Sequence, residues 1–227
     1  MTKLRPSSAR WLREHAQDPY VQAARAEGYR SRAAYKLLEI HTTVSSWPGI
    51  SGLLRPGMSV VDLGAAPGGW TQVAAKLVGQ VGGKSGHVLA LDLLPMVDFP
   101  TAYPGVEITL LLGDFLQDSG LAAVRQALAP HGFAHVLLSD MAPQMCGNKM
   151  VDQSRGEVLA EAAFLFANEV LLPGGSMVVK LFQGPCFHDL VRQAHQNFDR
   201  VRVIKPKASR PRSPEHYLVA LGYKRSK

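Results

Sequence analysis

Residues 59–70 read Ser-Val-Val-Asp-Leu-Gly-Ala-Ala-Pro-Gly-Gly-Trp, an apolar run that breaks into a glycine-rich turn and then into a helix. Val60, Val61 and Leu63 have the composition of a buried strand, and residues 71–77 that of the helix that follows. Gly64, Gly68 and Gly69 permit a sharp turn and a close approach of backbone to a ligand. A strand, a glycine turn and a helix in this order open a nucleotide site. The dinucleotide fingerprint wants a second glycine where this chain has Ala66, and Pro67 removes a backbone donor. The loop therefore favours a ligand without phosphates, and S-adenosylmethionine fits that description. The plain alternative is an ordinary strand-to-helix turn.

Around this turn, 227 residues with 46% hydrophobic and 19% charged content are enough to bury one good core. The reading is one domain, residues 31–227, preceded by a basic N-terminal arm, residues 1–30. No run approaches the roughly 18 apolar residues of a membrane span, so no membrane association is expected. Cys146 and Cys186 form no metal-ligand spacing, and two isolated thiols suit a reducing compartment. The net charge of +7 is unevenly spread, with +4 in residues 1–40, −5 in 41–199 and +8 in 200–227. Basic ends around an acidic middle point to a polyanion, nucleic acid above all, against the alternative of solvated tails. The Arg-rich start also has the look of an organelle transit segment.

Further along, residues 31–40 read as a helix with Ser31 as N-cap and Lys36 off its apolar face, and residues 41–58 as a loop. Strands are expected at 88–91, 106–112, 135–139, 176–182, 201–204 and 215–222, and further helices at 121–128, 158–172 and 187–198. This alternation is a doubly wound α/β sheet, and a last strand reached without a helix is expected to be antiparallel. Three acids fall at carboxyl ends of strands, where ligands sit in such sheets. Asp92 is placed for ribose hydroxyls, Asp114 beside Phe115 for an adenine or as a helix cap, and Asp140 begins the break after the fourth strand. Lys180 stands inside an otherwise apolar strand. A buried ammonium costs several kcal/mol unless it is paired or deprotonated, unless this lysine reaches water at the strand end.

The pieces Ser-Arg-Ala-Ala-Tyr-Lys36-Leu, Asp62-Leu-Gly-Ala-Ala-Pro-Gly-Gly-Trp70, Asp92-Leu-Leu-Pro95, Gly113-Asp114-Phe115, Ser139-Asp140-Met-Ala-Pro143, Val179-Lys180-Leu-Phe-Gln-Gly184 and Ser209-Arg-Pro-Arg-Ser-Pro-Glu215 follow one another in order. Together they resemble the FtsJ/RrmJ family of ribose 2′-O-methyltransferases, over about residues 18–223. The resemblance implies a Rossmann-like class I methyltransferase fold, a seven-stranded, mostly parallel sheet with an antiparallel last strand and helices on both faces. It implies a catalytic tetrad of Lys36, Asp140, Lys180 and Glu215, and S-adenosyl-L-methionine bound through Gly68, Trp70, Asp92, Asp114 and Asp140. Its substrate would be RNA, a uridine of large-subunit ribosomal RNA first, with transfer RNA, mRNA caps and mitochondrial ribosomal RNA as the alternatives. A cytoplasmic monomer is expected, or a mitochondrial one if the source is eukaryotic. Two departures stand out, Gln144-Met-Cys146-Gly after the Asp-Met-Ala-Pro motif and an apparent insertion at residues 45–52.

The chemistry asks for such a set. Methyl transfer to a sugar hydroxyl needs a group that takes the proton, and a lysine can do so only as a neutral amine. Lys180 is expected to be that base or to orient the hydroxyl, with Asp140 aligning it and Lys36 and Glu215 completing the network. RNA is favoured over DNA because only RNA carries the 2′-hydroxyl. Arg30, Arg32, Lys205, Lys207, Arg210 and Arg212 are the expected phosphate contacts. With no metal-ligand spacing in the sequence, metal independence is expected. A nicotinamide-dependent oxidoreductase is opposed by Ala66 and Pro67, and a non-catalytic assembly factor by the complete tetrad.

Overall fold

The computed structural model describes residues 14, 16–79, 85–99, 103–210 and 213–224. Helix α1 (Pro19–Ala26) begins with Asp18 as N-cap, its carboxylate accepting from the Tyr20 N–H at 3.0 Å, and with proline in its first turn. Val21 and Ala24 bury its inner face, so this part of the stretch read as a basic arm is a docked helix. Residues 1–13 and 15 lie outside the described residues. Helix α2 (Ala33–Ser45) follows without a side-chain cap, so Ser31 does not play the expected part. It also continues five residues into the stretch read as a loop, because Val44 prolongs the buried stripe of Leu37 and Ile40.

The sheet is built from β1 (Ser59–Leu63), β2 (Gly86–Asp92), β3 (Val106–Leu112), β4 (Ala134–Ser139), β5 (Leu171–Phe182), β6 (Phe198–Ile204) and β7 (Glu215–Tyr223). Their order is β3-β2-β1-β4-β5-β7-β6, parallel from β3 to β5, with β7 antiparallel to both of its neighbours. Helices α3 (Gly69–Val78), α4 (Asp118–Leu128), α5 (Lys149–Val170) and α6 (Phe187–Asn197) join the strands. Successive strand residues face opposite sides, and both sides are buried. Val60, Val88, Val136 and Val178 pack with α2 and α3, while Val61, Leu89, Leu137, Met177 and Val179 pack with α4, α5 and α6.

Helix α5 starts nine residues before the expected Val158. Asn148 caps it by accepting from Met150 N and Val151 N. The inner face of its early turns is polar, which hides it from a search for apolar periodicity. Asp152 there accepts from Cys146 N and Gly147 N at 2.8 and 3.0 Å, and Glu157 from Cys186 N at 3.0 Å. Among the described residues, no helix is long and apolar enough to cross a membrane.

Candidate active site

The parallel strands deliver their carboxyl ends to one edge of the sheet, and a cleft of about 410 Å³ opens there. Its floor is the glycine turn after β1. Gly64 has φ +69°, and a Cβ on it would lie 2.3 Å from Met141 Cγ, so a side chain would be both strained and crowded. Asp92, Asp114 and Asp140 line the cleft with Leu93, Leu94 and Phe115. Asp92 closes β2 and receives Ala66 N on Oδ2 and Leu94 N on Oδ1, both at 2.8 Å. Asp114 Oδ1 accepts from Leu116 N at 3.0 Å. These bonds orient both carboxylates and leave lone pairs over, since a carboxylate offers about four acceptor positions.

Two other expected cofactor residues fall outside this lining. The Trp70 side chain is buried, donates its indole N–H to Ala33 O at 2.8 Å and packs on Tyr217. Gly68, at φ +110°, faces Arg30 and Phe99.

Lys36, Asp140, Lys180 and Glu215 come together from α2, the end of β4, β5 and the start of β7. Lys180 Nζ lies 2.6 Å from Asp140 Oδ1 and donates to Asp140 O at 2.9 Å. Lys36 Nζ lies 2.9 Å from Glu215 Oε1, and the crossed pairs Lys36–Asp140 and Lys180–Glu215 are at 3.8 and 3.9 Å. Two ammonium and two carboxylate groups alternate around a compact cluster, and all four side chains are largely buried. This pairing is what allows a lysine to stand in a core strand.

A fifth residue, which reasoning from sequence missed, ties the cluster together. The Tyr217 hydroxyl donates to Asp140 Oδ1 at 2.6 Å and accepts from Lys36 Nζ at 2.9 Å. Its signal was the two-residue period of β7, which puts Tyr217 on the same side as Glu215. Burial, the Asp140 and Glu215 carboxylates and the bond to Asp140 all push the phenol well above 10, so it stays a donor. Burial alone would raise the Asp140 carboxyl. Lys180, Lys36 and the bonds from Lys180 and Tyr217 outweigh it and hold Asp140 below the ordinary carboxylate range.

The expected RNA contacts separate into two groups. The Arg30 guanidinium bonds three backbone carbonyls, and that of Arg32 is held by Asp18, Ala208 O and the Tyr20 ring, so both are engaged within the protein. Lys205 and Lys207 are exposed, the Lys205 ammonium donating to Ser213 O at 3.0 Å, and the partly exposed Arg210 lies 3.8 Å from Asp18. Glu39 supports this loop by accepting from Lys207 N and Ala208 N. Arg212 lies outside the described residues. At the opposite edge of the sheet, His87, Glu107 and His131 bring ligand-type atoms within 4.8 Å. The His87 nitrogens face the Ser59 and Thr109 hydroxyls and its ring stacks on His131, while burial and His131 push it down to about 4.

A Rossmann-like sheet with a cleft at its strand ends and an ionic cluster beside it is the arrangement of a methyltransferase, and solved structures agree on the fold. A putative ribosomal RNA methyltransferase from Plasmodium falciparum superposes with a TM-score of 0.70 at 24% identity, covering 86% of this chain and 98% of that one. Aeropyrum pernix fibrillarin, solved with natively bound S-adenosyl-L-methionine, gives 0.50 at 12% identity over 83% and 76% of the two chains. The sequence profile described as FtsJ-like methyltransferase matches residues 29–223, and the chain belongs to that family. Among its relatives, the Ribosomal RNA large subunit methyltransferase E of Magnetococcus marinus is 59% identical over 99% of this chain and 100% of its own length. The protein of that name from Legionella pneumophila (strain Corby) is 51% identical over 96% and 97%.

Proposed function

We propose that this protein transfers a methyl group from S-adenosyl-L-methionine to a ribose 2′-hydroxyl of large-subunit ribosomal RNA, at a uridine. The observation that carries the reading is Asp140, which both lines the cleft and belongs to the ionic cluster. The ligand site and the proton-handling groups therefore meet at one residue. The relatives' names support ribosomal RNA as the substrate, and a substrate of that kind supports work in the cytoplasm.

The cleft suits this methyl donor. It offers oriented carboxylates at the ends of β2 and β3 for the ribose and the adenine amino group, the Phe115 ring beside Asp114 and, among the described residues, no cationic side chain in its lining. Bound there, S-adenosyl-L-methionine supplies an activated methyl group on a sulfonium. The chain's own residues handle the proton. Asp140 holds Lys180 by its side chain and its carbonyl, so the amine has a set direction. Lys180 takes the hydroxyl proton after releasing its own to solvent, and Asp140 and Glu215 then stabilise the ammonium that forms again. Lys36 and Tyr217 hold the two carboxylates in place. Exposed Lys205 and Lys207 bind backbone phosphate.

Single-turnover transfer of a tritiated methyl group to large ribosomal subunits tests the step. Lys180→Ala lowers the rate by about 100-fold or more, with cofactor affinity measured separately and unchanged. A rate within a few-fold of the original protein removes Lys180 from the role, and absence of transfer by the original protein rejects the enzymatic reading.

A further inference from the structure

Arg30 was expected at the RNA, yet its surroundings assign it different work. Its Nη1 donates to Val97 O at 2.7 Å and to Pro67 O at 3.3 Å, and Nη2 donates to Asp98 O at 2.8 Å. The Phe99 ring lies 3.7 Å from its guanidinium carbon. Pro67 belongs to the glycine turn, and residues 97–99 belong to the loop after β2. One guanidinium thus bridges the two segments that border the cleft.

The segment that carries Arg30 is itself anchored to α3. Arg30 N donates to the buried Gln72 Oε1 at 2.6 Å, and Gln72 Nε2 donates to Gly28 O at 3.0 Å. Gly68 makes room for the arrangement. A Cβ there would lie 2.5 Å from Phe99 Cζ and 3.1 Å from Arg30 Cδ.

The loop after β2 needs such a fastening. Leu93, Leu94 and Val97 are 68, 64 and 81% exposed, so its first part gains little from apolar burial. Leu93 and Leu94 nevertheless line the cleft, and Leu94 N donates to the Asp92 carboxylate.

We infer that Arg30 is a positioning residue that clamps the loop after β2 onto the glycine turn and so keeps the cofactor cleft in its binding shape. This deepens the reading of the cleft as the S-adenosyl-L-methionine site and rests on it.

Calorimetric titration of the full-length protein with S-adenosylhomocysteine, in the absence of RNA, reads the clamp directly. If losing it leaves about one molecule in ten with a competent cleft, Arg30→Ala raises the dissociation constant about tenfold. Arg30→Lys restores little, since one ammonium cannot reproduce the planar fork that spans three carbonyls. Affinity for a large-subunit ribosomal RNA transcript, and its dependence on salt, stay within about twofold of the original. Cofactor affinity unchanged in Arg30→Ala overturns the inference, and so does a weakened, less salt-dependent RNA complex with intact cofactor binding, the signature of a phosphate contact. If the original protein fails to bind S-adenosylhomocysteine, the reading of the cleft fails first. Should Arg30→Ala not fold, Phe99→Ala removes only the stacked face. It is expected to weaken cofactor binding by a smaller factor, and no change there also overturns the inference.

Discussion

Replacing Tyr217 by phenylalanine removes one oxygen atom from the centre of the ionic cluster and leaves the ring packed on Trp70. Two hydrogen bonds to charged groups disappear, one given to Asp140 at 2.6 Å and one received from Lys36 at 2.9 Å. Such bonds contribute about 1.5–3 kcal/mol each. Asp140 keeps Lys180 and Lys36 keeps Glu215, so the lower figure applies to both and the loss is about 3 kcal/mol. For a chain of this size each kcal/mol corresponds to about 2–4 °C, which places the fall in Tm at about 6–12 °C. A second readout follows from Asp140. Its carboxyl is held low, so its stabilising contribution is present above the ordinary carboxylate pKa and is lost as pH falls through the lower folded value. Removing one of the bonds that hold it low moves this loss to higher pH. Thermal melts from pH 8 to 3 therefore show a lower Tm and an acid limb displaced upward in pH. Tyr223→Phe, which breaks a bond to the neutral Asn168, displaces no acid limb. Single-turnover methyl transfer slows about tenfold, the kinetic equivalent of 1.4 kcal/mol, while S-adenosylhomocysteine binding changes less than twofold, because Lys180 still holds Asp140 at the edge of the cleft. A Tm within 2 °C of the original, with an acid limb in the same place, would refute the reasoning.

Two further substitutions test the cleft and the strand beneath it. A Cβ on Gly120 would lie 2.0 Å from the backbone oxygen of Asp114, so Gly120→Ala displaces the Asp114–Phe115 corner at an overpacking cost of about 1–3 kcal/mol. Its S-adenosylhomocysteine affinity falls about tenfold by calorimetry, and a change of less than twofold rejects Asp114 as a cofactor ligand. Asp62 is buried beneath the glycine turn, where burial, against the Thr71 hydroxyl bond, pushes its carboxyl up to about 7. The folded state therefore holds a proton that the unfolded chain releases near pH 4, and stability drains away as pH rises from there to about 7. Asp62→Asn removes this dependence, so its Tm gains on that of the original protein across that interval; a constant difference contradicts the assignment.

Local order was legible wherever chain chemistry repeats over a few residues. The bare strand at residues 59–63, its glycine turn and the paired apolar faces of the sheet follow from composition and spacing, and the antiparallel last strand follows from a connection without a helix. Helix boundaries were less legible where polar residues replace the apolar stripe. The early turns of α5 bury Asp152 and Glu157 because each carboxylate is consumed by backbone N–H groups, an exchange no periodicity records. The far end of α2 was hidden by Thr42, Thr43 and Ser45, which suit a loop but here bond the carbonyls four residues back.

The sequence by itself determined the doubly wound sheet, the glycine turn, the acids at strand ends and the anomaly of a lysine among valines. Each of these depends on the local backbone or on a residue's dislike of its neighbours, and both are written in order along the chain. Only the tertiary structure decided how the charges meet, because Lys36, Asp140, Lys180 and the Glu215–Tyr217 pair come from four separate stretches brought within 4 Å by the order of the strands. It also showed Arg30 and Arg32 engaged by protein groups while Lys205, on Ser213 O, and Lys207 stay exposed at the rim, since a cation's partner is set by three-dimensional proximity and not by position in the chain.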